Sequence, residues 1–209
     1  MLVKDIFEGT NIDLGIELEL KRQGYKFLGA GVDQQAWLAK DGTIIKIFGT
    51  HGKTLSSSHQ MFMQWKKFCD KWKSKTHLVP HHIDFTPFEY NGNTYLQIRM
   101  ERLFKLTSAI ENYIEEFIGY VVSSKSKAEF KRLATEHVDS SWRSTGVTAS
   151  MGAIEDIDEF YDVIKELNNI ANRNDWHFDL HGGNLMLDDQ GYLVIIDPWH
   201  VADEMNYWR

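Results

Sequence analysis

The chain has 209 residues, 43% of them apolar and 13% aromatic, with seven tryptophans, which is enough to bury a sizeable core and excludes global disorder. The formal net charge is −7 and Lys and Arg form no long block, so a dominating basic face for nucleic acid is not expected. A single cysteine, Cys69, excludes an internal disulfide, and no run approaches the roughly 18 apolar residues of a membrane span or resembles a leader; a soluble, cytoplasmic protein of one domain, with one or two lobes, is expected.

Residues 12–23 carry Ile12, Leu14, Ile16, Leu18 and Leu20 in strand-like alternation, but their Glu and Lys content favours a helix closed by Gly24. Short strands follow from Tyr25, over 25–31, 34–39 and 43–48, with Lys40-Asp41-Gly42 as a hairpin turn. Gly29 and Gly31 sit at the first bend. Glycines there either let backbone N–H groups approach phosphate oxygens or simply turn a hairpin. Lys46 alternates with Ile45 and Ile47 and so points to the face opposite theirs.

Ser56–Ser58 offer N-caps for a helix whose apolar stripe is Met61, Trp65, Phe68 and Trp72, with Cys69 beside it as a structural thiol. No Glu occurs between Gly49 and Pro87. Strands are expected over 79–86 and 94–103, joined at Asn91-Gly92-Asn93. Beyond Lys105 the pattern is helical: Ile110, Tyr113, Ile114, Phe117, Ile118 and Val121 form one stripe, and Phe130, Leu133 and Val138 a shorter one. The Ser/Thr-rich stretch 140–151 reads as a polar loop, and a place where autophosphorylation could occur. A last helix, on Ile154, Ile157, Tyr161, Ile164, Leu167 and Ile170, ends near Asn172.

The richest chemistry lies from Trp176 to His200. It contains His177-x-Asp179-Leu180-x-x-x-Asn184, a turn at Asp188–Gly191, the run Tyr192–Ile196, and Asp197. A carboxylate that can take a hydroxyl proton, with an amide oxygen and a second carboxylate that can hold Mg²⁺, is what phosphoryl transfer asks of its catalytic side. The strand-turn-strand between Asn184 and Asp197 would return the two metal ligands to each other. A zinc site on His177 and His181 lacks a third ligand, and Gly182-Gly183 indicates a loop.

His177-Phe178-Asp179-Leu180-His181-Gly182-Gly183-Asn184 resembles the kinase catalytic loop H-R-D-L-x-x-x-N, and Ile196-Asp197-Pro198-Trp199 sits where D-F-G would. The Asp-Leu-His form is closer to aminoglycoside and choline phosphotransferases, RIO-type kinases and the small kinase-like proteins of prokaryotes and phages than to ordinary eukaryotic kinases. The resemblance implies an α+β, bilobal protein-kinase-like fold: a small antiparallel-sheet N-lobe over 1–103, a hinge at about 100–104, and a truncated, mainly helical C-lobe over 105–209. It also implies ATP and Mg²⁺. Gly29 and Gly31 would match the first two glycines of the phosphate loop, Gln34 replacing the third, and Lys46 the phosphate-binding lysine. Met100 would flank the adenine, and the backbone from Glu101 to Leu103 would hydrogen-bond it.

Asn184 and Asp197 would hold the metal, Asp179 would orient the acceptor hydroxyl and take its proton, His177 would brace the loop by hydrogen bonds, and His181 would contact the γ-phosphate. The lysine's usual Glu partner is missing; Gln64, with Gln60 behind it, is the nearest substitute, an acceptor without charge. Only twelve residues follow Asp197, so the activation segment and acceptor-binding helices of larger relatives are not expected. The resulting expectation is a kinase acting on a hydroxyl acceptor, with protein Ser/Thr slightly ahead of a small molecule. A pseudokinase that binds nucleotide or a partner is the alternative, and nucleotidyl transfer to protein a third.

Overall fold

Asp13 starts the first helix, α1 (Leu14–Arg22), its carboxylate accepting the Gly15 N–H at 2.7 Å. The apolar alternation resolves at helical period: Ile12, Ile16 and Leu20 are buried, while Leu14 and Leu18, half a turn away, are exposed. The computed structural model describes residues 12–30, 34–49, 56–145, 154 and 156–201. It divides into two units, Met1–Lys71 with His81–Arg102, and Trp72–Pro80 with Leu103–Arg209.

The first unit is built on a five-stranded antiparallel sheet of β1 (Lys26–Ala30), β2 (Gln34–Leu38), β3 (Ile44–Gly49), β4 (Ile83–Tyr90) and β5 (Asn93–Met100), in the order β1-β2-β3-β5-β4. Helix α2 (Ser56–Trp72) lies between β3 and β4 in the chain. The antiparallel sheet with its accompanying helices is the α+β content expected from the sequence. Trp37, Ile45, Ile47 and Tyr95 form one core with Ile12, Ile16 and Leu20 of α1. On the other face Phe62 of α2 packs against Phe48 at 4.7 Å and Phe85 at 6.0 Å between ring centroids. Lys46 alternates with Ile45 and Ile47 and shares this second face with Phe48. Cys69 is fully buried in α2, and that burial pushes its thiol pKa well up.

Two expected boundaries move. The strand expected over 79–86 runs instead from Ile83 to Tyr90. Leu78, Val79 and Pro80 are buried plugs of the second unit, Leu78 O accepting Ile195 N–H at 2.9 Å. Pro87 is tolerated because β4 is an edge strand, where a missing donor breaks no ladder. Where a loop is expected from Ser140, α4 continues to Thr145, Ser and Thr being only mildly unfavourable in a helix; the rest of that stretch, 146–151, lies outside the described residues.

The second unit is mainly helical: α3 (Ser108–Ser123), α4 (Lys127–Thr145) and α5 (Ile157–Asn174). Phe117 meets Phe130 edge-on at 6.2 Å, and Phe130 meets Tyr161 at 5.4 Å, joining the three helices. Lys165 donates to the carbonyls of Val121, Val122 and Ser124, closing the C-terminus of α3. Asp156 accepts from Asp158 and Glu159 N–H to cap α5. The remaining strands are β6 (Phe104–Lys105), β7 (Trp176–Phe178), β8 (Leu185–Leu187), β9 (Leu193–Ile195) and β10 (Trp199–Val201), paired as β6-β8-β9 and β7-β10. Among the described residues no helix is long and apolar enough to cross a membrane.

Candidate active site

Helix α5 stops at Asp175, which adopts the left-handed conformation (φ 56°) and hands the chain straight to β7. β7 pairs antiparallel with β10, His177 opposite His200 and Phe178 opposite Trp199. Trp199 is 2% exposed and its indole N–H donates to Leu167 O at 3.0 Å, so the ladder is fixed to α5. Asp179 N–H then donates to Pro198 O at 2.9 Å, which sets the carboxylate at the mouth of the loop.

The loop turns through a short 3₁₀ segment, Gly182–Asn184. Both glycines are required by close approach. A Cβ on Gly182 would fall 1.6 Å from Glu111 Oε1, and one on Gly183 would fall 2.7 Å from the His181 ring. Gly182 N–H donates to Glu115 Oε1 at 2.6 Å, so one carboxylate of α3 holds the turn while Glu111 crowds it. Gly183 N–H donates to His181 Nδ1 at 3.0 Å. That occupies the Nδ1 lone pair, while Nε2 lies 3.3 Å from Asn184 Nδ2.

Asn184 Nδ2 donates to Asp179 O at 2.7 Å and lies 3.2 Å from Asp179 Oδ2. Two further nitrogens face that oxygen, His200 Nδ1 at 3.3 Å and His181 Nε2 at 3.7 Å. Asp179 Oδ1, by contrast, accepts no hydrogen bond among the described residues, and the side chain is 33% exposed. One carboxylate oxygen is held while the other stays open to an incoming donor.

Asn184 O accepts Ile196 N–H at 3.0 Å, and Leu185 pairs with Ile195, so the β8–β9 hairpin returns the segment carrying Asp197 to the loop. Asp188 tightens the hairpin by accepting from Gln190 and Tyr192 N–H at 2.9 and 2.8 Å. Because Asn184 uses its amide nitrogen on Asp179, its amide oxygen is left for another partner. Asp197, one residue beyond the backbone bond of Ile196, is half-buried; an amide oxygen and a carboxylate are ligand types that suit a small hard cation.

No protein-family model matches the chain, and no curated protein matches it. Among solved structures it is similar to a chain of the streptomycin-ATP-APH(2")-IIa ternary complex, at 13% identity, over 92% of this chain and 74% of that one, with a TM-score of 0.38. A score of that size marks a loose likeness of shape.

The structure thus brings Asp179, His181, Asn184 and the Asp197 segment together in the second unit. His177 corrects an expectation: its side chain braces nothing by hydrogen bonds among the described residues. Alternation in β7 turns it outward, and its ring stacks on His200 at 5.0 Å and 27°. In the first unit, Lys46 is half-buried at the centre of β3, opposite Ala36 and Ile98. Gln64 is half-buried on α2, and Met100 is buried at the end of β5.

Glu101 carries a role that the sequence does not announce. Its carboxylate accepts the N–H groups of His81 and His82 at 2.7 and 2.9 Å, fixing the entry to β4. Leu103 is half-buried just before β6. Gly29 lies in extended β1 at a register shift, with nothing within 4 Å of a Cβ there; Gly31 lies outside the described residues. His200 was missed by motif reasoning, because its position follows from the pairing of β10 with β7.

Proposed function

We propose that the chain is an ATP- and Mg²⁺-dependent phosphotransferase that moves the γ-phosphoryl group to a hydroxyl acceptor, a protein Ser or Thr slightly ahead of a small molecule. The observation that carries this reading is the asymmetry of Asp179, with Oδ2 held by Asn184 and faced by two imidazoles while Oδ1 is open. A carboxylate so arranged orients an acceptor O–H without being consumed by its own loop. As the acceptor oxygen bonds to the γ-phosphorus, the bond to the β,γ-bridging oxygen breaks, ADP leaves, and the hydroxyl proton passes to Asp179 Oδ1 and on to solvent. Asn184 Oδ1 and Asp197 would hold the metal, which when bound neutralises charge on the departing bridge oxygen. Lys46 would contact the phosphates, Gly29 and Gly31 would admit them, and Met100 with the backbone of Glu101 to Leu103 would receive the adenine. His181 would contact a γ-phosphate oxygen.

One feature favours a second reading, a pseudokinase that binds nucleotide without transfer: α2 contains no Glu to match the lysine's usual partner. Incubation with γ-labelled ATP and Mg²⁺ separates the two. Label on protein or on an added hydroxyl acceptor, lost in Asp179→Ala, supports the transferase. ATP binding with no transfer refutes it, and label arriving only from the α-phosphate identifies nucleotidyl transfer instead.

A further inference from the structure

His200 belongs to no motif that the resemblance uses, yet its ring faces the proposed base. Nδ1 lies 3.3 Å from Asp179 Oδ2, while Nε2 is buried and has no hydrogen-bond partner among the described residues. A lone pair on Nδ1 would oppose the carboxylate, and a proton on Nε2 would be a buried donor with no acceptor. The neutral ring with its hydrogen on Nδ1 avoids both costs. Nor can the ring turn away easily: its backbone is paired with His177, its face stacks on the His177 ring, and its neighbour Trp199 is anchored to α5.

We propose that His200 is a positioning residue for phosphoryl transfer, its Nδ1 edge set against Asp179 Oδ2 as a polar contact at 3.3 Å so that Oδ1 stays turned toward the acceptor hydroxyl. The inference rests on the reading of Asp179 as the base. An aspartate's last torsion is broad and nearly two-fold, so one hydrogen bond from Asn184 leaves the carboxylate free to rock. A polar contact on the same oxygen from a different segment, the His200 Nδ1 edge at 3.3 Å, opposes that rotation. His181 is a poorer restraint, being 57% exposed and farther away at 3.7 Å.

The test compares wild type with Asp179→Ala, His200→Ala, His200→Asn and His200→Gln in transfer from γ-labelled ATP. An Asn amide places its N–H near the position of Nδ1; a Gln amide reaches instead toward Nε2. His200→Ala and His200→Gln are expected to lower kcat by about 10- to 100-fold with KM for ATP unchanged, the scale of a small misplacement of a reacting group. His200→Asn is expected to return to within a few-fold of wild type. Full kcat in His200→Ala, or equal recovery by Asn and Gln, overturns the inference while leaving the base intact. Retained transfer in Asp179→Ala, or none in wild type, overturns the base reading and the inference with it. Should His200→Ala fail to fold, the Asn and Gln pair still decides.

Discussion

Replacing Gly182 by alanine would set a methyl group 1.6 Å from Glu111 Oε1 and 2.0 Å from its Cγ. The Cγ contact matters, because swinging the carboxylate alone does not relieve it. Either the whole Glu111 side chain leaves its rotamer, or the loop retreats from α3 and stretches the 2.6 Å bond from Gly182 N–H to Glu115. Overpacking of this kind costs about 1–3 kcal/mol. In a chain of this size each kcal/mol lowers Tm by about 2–4 °C, so a fall of roughly 2–12 °C is expected. The loop also separates Asp179 from Asn184, and a displacement near 1 Å would lower transfer by about 100-fold.

Glu111→Ala ends at Cβ and removes all three clashing atoms, Oε1, Cδ and Cγ. The double variant Gly182→Ala/Glu111→Ala should therefore recover most of the lost Tm and activity, and the four proteins of the cycle should show a coupling of about 0.5–3 kcal/mol. Thermal melts and γ-label transfer on all four measure it. If Gly182→Ala melts within about a degree of wild type, or the double variant is no better than the single, the packing of this loop on α3 is refuted.

Trp199→Phe keeps a six-membered ring in place, with a modest loss of volume, and removes the donor to Leu167 O. It should lower stability by about 1 kcal/mol, against about 3–5 kcal/mol for Trp199→Ala; equal losses in the two melts would show that the indole N–H is what matters and the packed volume does not. Tyr120 donates to Glu116 Oε1 at 2.7 Å, and this bond raises its pKa to about 12. The raised value means the contact's stabilisation is complete below the ordinary phenol value of 10 and is lost as pH climbs through about 12. Subtracting the phenolate absorbance titration of Tyr120→Phe from that of wild type should isolate this transition, and Glu116→Gln should move it down. A wild-type midpoint near 10 would refute the pairing.

Periodicity made the helices legible: α5 appears in the sequence as a stripe from Ile157 to Ile170 because one face is buried along its length. Turn chemistry did the same for the hairpins, with Gly42 at φ 87° and Asn91-Gly92 at φ 51° and 76° in the conformations those residues favour. What failed was anything set by a partner distant in the chain. Leu78-Val79-Pro80 reads like a strand because it is apolar, but its apolarity serves the second unit, where Leu78 bonds Ile195. Similarly, Asp179 and Asn184 are visible as a spaced pair, whereas the place of His200 depends on a three-residue ladder between segments on either side of the loop. Glu101 was read for its backbone, and it is the side chain that clamps His81 and His82.

The β7–β10 ladder makes a noose of the chain between them. Its two strands are the two ends of the stretch that carries Asp179, Asn184 and Asp197, and the Trp199 indole ties the knot to α5. Slackening that knot would release Asp179 and the segment carrying Asp197 in the same event, so changes at Trp199 or Leu167 are expected to disturb both together.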